Sequence, residues 1–179
     1  MRTLALLALV VATPALAALS VEGKPKVAFF AVGSPGFLDI EGTSSDLACT
    51  DDGTTLTCNH GLDTLDTGIE LRDEHMKSKF LQTAQFPKAS IALAKASIPW
   101  PTEVGKEAKG TVDATFTAHG VTQPTVVNYA VKKSKTGWKV TAKFDFDISK
   151  HGIEVPSYLG VTVDSAMRAE VSLDLVDTP

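Results

Sequence analysis

The chain has 179 residues, of which 44% are hydrophobic and 21% charged, and its formal net charge is −4. A chain of this length fits one domain built around one core. The negative charge disfavours contact with nucleic acid and with anionic membrane surfaces, so binding to polyanions is excluded as a function.

The N-terminus has the pattern of an export signal. Arg2 precedes an apolar run over 4–12, and the Ala-Leu-Ala sequence at 15–17 places small residues at both positions that a signal peptidase reads. Residues 1–17 are therefore predicted to be a secretory signal peptide and residues 18–179 a single domain. The apolar run is shorter than the roughly 20 residues that cross a bilayer. The sequence predicts a periplasmic or secreted protein without a membrane span.

Apolar and alternating runs follow the signal, separated by turn residues. They predict strands over 26–32, 37–41, 46–49, 54–58 and 62–71.

Cys49 and Cys58 are the two cysteines of the chain. Asp52-Gly53 between them is a strong hairpin-turn signal, so the two thiols should face each other across adjacent strands. Export places them where disulfides persist. We predict a structural disulfide; a redox or metal role is the alternative, although one such pair is poor zinc geometry.

The period of the apolar pattern changes after residue 72. Asp73 is a candidate N-cap for a helix of about three turns. Its apolar stripe should face inward and consists of Met76, Phe80, Leu81 and Ala84. Phe86-Pro87 ends the pattern, because a residue before proline is pushed out of the helical region.

Period-two alternation dominates the second half of the chain. It predicts strands over 88–95, 111–117, 127–131, 138–148 and 167–175, with a polar loop over 98–110. In the strand 138–148, six apolar residues from Trp138 to Ile148 occupy one face, and lysine, threonine and aspartate occupy the other. Such a strand must cover its apolar face.

Eight to ten strands and one helix could form either a sandwich or a closed barrel. Long strands joined mainly in sequence favour the barrel, because closure removes exposed sheet edges. We predict an all-β fold with one or two short helices: an eight-stranded antiparallel up-and-down barrel covered by a helix.

Two sequence motifs resemble those of the YceI-like family. The first is Arg72-Asp73-Glu74-His75-Met76, followed by Phe80 and Phe86-Pro87. The second runs from Gly110 through Thr117-Ala118-His119-Gly120-Val121-Thr122. The chain departs from the family at Asp147, where a glycine is usual, and in the opening strand, which lacks the family's histidine.

The resemblance implies a lipocalin-like barrel whose apolar tunnel holds a polyisoprenoid or another long-chain amphiphilic lipid. It implies a carrier, storage or scavenging protein rather than an enzyme, acting in the periplasm with no cofactor beyond its lipid. A monomer or a homodimer fits this role. The alternative is a small secreted hydrolase or isomerase that acts on such an amphiphile; the sequence has no nucleophile elbow or phosphate-binding glycine loop.

Large aromatic residues on the apolar faces are the candidate tunnel lining: Phe29, Phe80, Phe116, Phe144 and Phe146. A solid core would use the same residues, so the two possibilities stay open at this point.

Arg72 and His75 are candidates for contact with a lipid head group, because an arginine and a protonated histidine bind phosphate. The alternatives are catalysis or a structural role in which Arg72 pairs with a carboxylate on a neighbouring strand. His119 is interpreted as a turn residue, and His60 and His151 as solvated. The scattered histidines form no metal motif.

Overall fold

The computed structural model describes residues 18–34, 38–158 and 160–178. The predicted signal peptide and Phe37 lie outside these residues. Within them, no helix is both long and apolar enough to cross a bilayer.

Eleven strands form one antiparallel sheet in the described part of the chain. They are β1 Ala18–Ser34, β2 Leu38–Ser44, β3 Leu47–Asp51, β4 Thr55–Gly61, β5 Lys88–Ala94, β6 Glu107–Ala118, β7 Val121–Lys133, β8 Gly137–Asp147, β9 Ser157–Tyr158, β10 Val161–Val163 and β11 Ala166–Thr178. The predicted all-β class is confirmed.

The sheet curls so that its ends meet. Eight of its strands follow one another in the order β3-β4-β5-β6-β7-β8-β11-β1. β2 pairs with β1 and leads directly into β3, which lies beside the first half of β1. The two ends of the eight-strand path therefore lie next to each other. The short strands β9 and β10 extend the sheet from the end of β1.

A bulge divides β1 into two arms. Its register with β11 shifts between Glu22 and Lys26, and Gly23 has a φ of +73° that favours glycine. The second arm pairs with β2 from Val27 to Gly33, while Leu19 in the first arm reaches β3. The bulge thus lets one strand bridge both ends of the sheet.

The connection from β4 to β5 differs from the predicted one. The prediction of a strand over 62–71 is wrong: a 3-10 turn covers Leu62–Thr64, and helix α1 runs from Glu70 to His75. A π-helical turn, Met76–Phe80, continues α1. Ile69 is the N-cap, so the prediction that Asp73 caps the helix is also wrong. Ala84 lies beyond the helix and is exposed.

One end of the curled sheet is filled by large side chains. The alternation predicted for the second half of the chain is confirmed there, because the inward residues are buried. This filled end contains Leu19, Leu56, Val112, Val131, Val140, Leu173 and Leu175, with Trp100 and Trp138 packed edge to face at 5.6 Å. It is a conventional close-packed core.

A buried ion pair holds the strands together at the filled end. Lys95 Nζ lies 2.5 Å from Asp51 Oδ2, and their side chains are 10% and 0% exposed. The Leu19 and Gly53 amides also donate hydrogen bonds to this carboxylate. Asp51 therefore joins the end of β3 to the first arm of β1 and to the turn after β5.

The pKa of Asp51 gives a test of this arrangement at acid pH. Burial raises the pKa, but hydrogen bonds from Lys95, Gly53 and Leu19 outweigh it, and the pKa lies below its ordinary value. A carboxyl whose pKa falls on folding adds stability above its unfolded pKa of about 4, and that stability is lost as pH falls through the folded pKa. Between about pH 5 and pH 2, the free energy of unfolding should fall more for the wild type than for Asp51→Asn. Urea denaturation at each pH measures the free energy of unfolding. An equal fall with pH in the wild type and in Asp51→Asn would refute the expectation.

The predicted disulfide between Cys49 and Cys58 is confirmed. The two residues stand opposite each other in the β3–β4 ladder, with the turn at Asp52 and Gly53 between the strands. The bond thus ties the hairpin that starts the eight-strand path.

Replacing both cysteines with alanine should lower the free energy of unfolding by about 2–3 kcal/mol, because the unfolded chain regains the entropy of a short loop. Urea denaturation measures the loss. A reductant should destabilise the wild type but leave the double variant unchanged. Alkylation of the oxidised protein should label neither cysteine, and ready labelling would contradict the disulfide.

Candidate functional site

A cavity of about 850 Å³ occupies the end of the barrel opposite the filled core, beneath α1. Its volume lies within the roughly 300–1,000 Å³ typical of ligand pockets. The wall is mostly apolar and includes Val27, Ala28, Ala31, Ile40, Leu47, Cys58, Leu62, Leu65, Ala89, Ile91, Ala118, Ile148, Ile153, Met167, Ala169 and Val171. The site can therefore hold a hydrocarbon chain away from water.

The hollow end and the filled end are made by opposite halves of the same strands. β6 contributes Val112 to the core and Phe116 to the cavity, and β11 contributes Leu175 to the core and Ala169 to the cavity. At the hollow end many inward positions hold alanine: Ala28, Ala31, Ala89, Ala118 and Ala169. These short side chains leave the space open.

All five predicted tunnel aromatics lie on the cavity wall: Phe29, Phe80, Phe116, Phe144 and Phe146. The ring of Phe116 lies 5.0 Å from those of Phe144 and Phe146, centroid to centroid, at tilted angles that aromatic pairs prefer. Phe29 lies across from Gly42, where a Cβ would overlap the ring. The aromatic wall therefore depends on a glycine that the sequence motifs did not indicate.

The mouth of the cavity is apolar where it meets solvent. Leu38, Ile69 and Leu71 line the cavity, and they are 42%, 53% and 55% exposed. Met76, Phe80 and Leu81 of the predicted stripe also line the cavity, so the helix covers it as the sequence predicted. Residues 67–81, which contain α1 and the π-helical turn, form a lid that presents apolar side chains both to the cavity and to solvent.

Arg72 and His75 lie at the mouth and contribute to the cavity wall, together with Lys79. His75 is exposed, and Lys79 Nζ lies 3.8 Å from a Glu154 oxygen in an exposed ion pair. The mouth therefore carries cationic or titratable nitrogen on one side of an apolar opening.

Thr67 connects the two charged residues at the start of the lid. Its amide and its hydroxyl donate to Asp73 Oδ1 at 3.0 and 2.5 Å, and Arg72 donates to its hydroxyl and its carbonyl at 2.7 and 2.6 Å. These bonds of Arg72 therefore go to Thr67 in the same segment, rather than to the carboxylate on a neighbouring strand that the structural alternative considered. Burial raises the pKa of Asp73, but the bonds from Thr67 and the charge of Lys77 leave it below its ordinary value.

Replacing Thr67 with valine should loosen the lid, because it removes the hydroxyl that links Asp73 to Arg72. We expect a fall of about 1–2 kcal/mol in the free energy of unfolding, together with faster release of an apolar probe from the cavity. Denaturation and a fluorescent-lipid dissociation assay measure the two effects. Thr122→Val, which removes an exposed hydroxyl from β7, is the matched control. Release at the wild-type rate would show that Thr67 does not hold the lid.

The histidines differ from the prediction in two of three cases. His60 and His151 are buried, with exposures of 9% and 1%, and their Nδ1 atoms donate hydrogen bonds to the carbonyl oxygens of Asp46 and Val121. His119 lies in the turn between β6 and β7, as predicted, with a φ of +51°. In the described ranges, no cluster of three or more histidine, cysteine or acidic side chains could hold a metal ion.

Comparison with solved structures finds the same fold at low sequence identity. A polyisoprenoid binding domain from Saccharophagus degradans, implicated in plant cell wall breakdown, is 14% identical, with a TM-score of 0.72 over 92% of this chain and 100% of that one. Burkholderia cenocepacia BcnA is 13% identical, with a TM-score of 0.65 over 85% and 96% of the two chains. A Campylobacter jejuni YCEI protein is 14% identical, with a TM-score of 0.56 over 80% and 87%.

No curated protein matches the chain. The family model described as "YceI-like domain" matches residues 21–176. This range includes every strand of the barrel apart from the ends of β1 and β11. The sequence motifs, the curled antiparallel sheet and this match agree, and the chain belongs to the YceI-like family.

Proposed function

We propose that the chain is a binding protein that holds a polyisoprenoid or another long-chain amphiphilic lipid in its apolar cavity. The observation that carries this proposal is a cavity of about 850 Å³, walled by alanine, aliphatic and aromatic side chains, with cationic groups at its mouth. Each CH₂ moved from water into such a wall contributes about 0.8 kcal/mol. A long chain therefore supplies enough free energy for firm binding.

The polar groups at the mouth support a place for the lipid head group. Arg72, His75 and Lys79 surround one side of the opening, while Leu38, Ile69 and Leu71 flank the path of the chain. A lipid that lies with its tail in the cavity and its polar end toward this rim satisfies both kinds of surface. The solved relative from Saccharophagus degradans is a polyisoprenoid binding domain, which supports the same ligand class here.

Binding explains the lid chemistry better than catalysis does. Thr67 accepts a hydrogen bond from the Arg72 guanidinium and donates one to the Asp73 carboxylate, so these two charged groups also hold the lid in place. A general acid or base must itself lie within hydrogen-bond reach of the reacting atom, whereas the Asp73 carboxylate accepts hydrogen bonds from Thr67. We infer a carrier, storage or scavenging role rather than a hydrolase or isomerase.

Organic extraction of the purified protein followed by mass spectrometry tests the binding function. We expect a long-chain lipid in about one-to-one ratio with the protein, because an apolar cavity of this size favours a hydrocarbon occupant over water. A delipidated sample should take up an added isoprenoid lipid. A protein that yields no lipid and takes up none would contradict the proposal.

We also propose that the protein is exported and that cleavage after Ala17 leaves Ala18 as the first residue. The basic, apolar and small-residue segments of 1–17 support this. N-terminal sequencing of protein from a periplasmic extract tests it, and recovery of the uncleaved chain from the cytoplasm would refute it.

A further inference from the structure

His60 is a polar side chain in the wall of the apolar cavity. It lies on β4, where it alternates with outward residues and shares the inner face with Cys58, which also lines the cavity. The residue is nine-tenths buried, with an exposure of 9%. A polar group in such a place requires a hydrogen-bond partner.

One nitrogen of this imidazole has a partner and the other does not. Nδ1 lies 2.6 Å from the carbonyl oxygen of Asp46. A carbonyl oxygen only accepts, so Nδ1 carries the proton, and in the neutral ring Nε2 carries a lone pair. Among the described residues no donor reaches Nε2, although the atom is buried.

We propose that His60 Nε2 accepts a hydrogen bond from a donor group on the bound amphiphile. The ligand class is then a lipid with a hydroxyl, such as an isoprenoid alcohol, whose hydroxyl enters the cavity instead of remaining in water. This inference deepens the proposed function and rests on it. Native structures rarely leave a buried polar nitrogen unpaired, and a ligand or an ordered water completes such an atom.

The position of His60 agrees with the expected place of a polar end. It is the second-last residue of β4, directly before the segment that leads through Leu62–Thr64 to the lid. A hydroxyl bound there lies beneath the lid and at the lid end of the barrel, while the tail occupies the remaining apolar volume.

A second histidine provides an internal control. His119 also has a buried Nε2 without a partner, but it is only partly buried and stacks on Phe86 at 4.2 Å between ring centroids. It is not part of the cavity wall. A ligand in the cavity should therefore affect His60 and leave His119 unchanged.

Paired lipid probes test the hydrogen bond in delipidated protein. Geranylgeraniol and its methyl ether share one chain, but only the alcohol donates a hydrogen bond. The wild type should bind the alcohol roughly tenfold more tightly, as expected for one buried hydrogen bond. His60→Phe should bind both probes with similar affinity, because the ring remains without its nitrogen.

Nitrogen NMR of the unsubstituted protein gives a measurement that does not depend on folding of a variant. The alcohol should shift the Nε2 resonance of His60 in the direction of a hydrogen-bonded acceptor, and the ether should not. The His119 resonance should stay in place with both probes.

The outcomes separate this inference from the proposed function. If both probes bind the wild type equally and the Nε2 resonance does not move, the inference is overturned while the lipid-binding function stands. Binding of neither probe would overturn both. A preference for the alcohol that persists in His60→Phe would assign the hydrogen bond to another group. It would also overturn the inference about His60.

Discussion

Ala169→Trp should reduce lipid binding by about a hundredfold or more, because an indole in the cavity displaces several methylene groups at about 0.8 kcal/mol each. Ala169 lines the cavity and stands opposite Phe29 on β1 and Phe144 on β8. A tryptophan there enters the space between the aromatic residues. The fold should tolerate it, because the added volume enters an empty region.

The stability of this variant distinguishes a blocked cavity from a misfolded barrel. Added bulk in a close-packed core costs about 1–3 kcal/mol, and we expect Ala169→Trp to lose less than this from its free energy of unfolding. Ser172→Trp is the matched control, because Ser172 lies on the same strand and is exposed. Its lipid affinity should equal that of the wild type. Undiminished binding by Ala169→Trp would place the ligand elsewhere.

Lys95→Met should lower the free energy of unfolding by about 3–5 kcal/mol, because it leaves the Asp51 carboxylate buried without its cation. The Asp51 side chain is fully buried, and it also accepts hydrogen bonds from the Leu19 and Gly53 amides. These contacts join β3, β1 and the turn after β5. Loss of the cation therefore weakens the place where the ends of the eight-strand path meet.

An exposed ion pair supplies the control for this second variant. Lys139 and Asp174 lie 3.2 Å apart on β8 and β11, with side chains 67% and 47% exposed. Lys139→Met should cost only about 0–1 kcal/mol, because water already solvates both groups. The double variant Lys95→Met with Asp51→Asn should recover part of the loss, since it removes the unpaired charge. Equal costs for Lys95→Met and Lys139→Met would contradict this account.

The lid shows where local sequence patterns predict poorly. Asp73 has the residue type of an N-cap, but its carboxylate binds Thr67, six residues earlier, and the helix begins at Glu70. Gly68, with a φ of +77°, turns the chain just before that point. A capping motif does not show a partner several residues away, so the predicted start of the helix was wrong. The predicted strand over 62–71 was also wrong, because this stretch contains a 3-10 turn and the start of α1.

The histidines show the same limit over longer distances. The carbonyl groups that bury His60 and His151 come from Asp46 and Val121, which are 14 and 30 residues away. A buried histidine needs such a partner, and the fold supplies it from a distant part of the chain. The sequence therefore predicted solvated rings at the two places where the fold encloses them.

The all-β class, the inward and outward faces of the long strands, the disulfide and the covering helix were all predicted from the amino-acid sequence. Each follows from short-range chemistry: a side-chain period of two, a turn between two cysteines and a period change before a proline. The sequence did not predict that one end of the barrel is hollow and the other solid. The same alternation runs through both halves of β11, and the cavity exists because alanines from separate strands, such as Ala31, Ala118 and Ala169, meet at one end while leucines meet at the other.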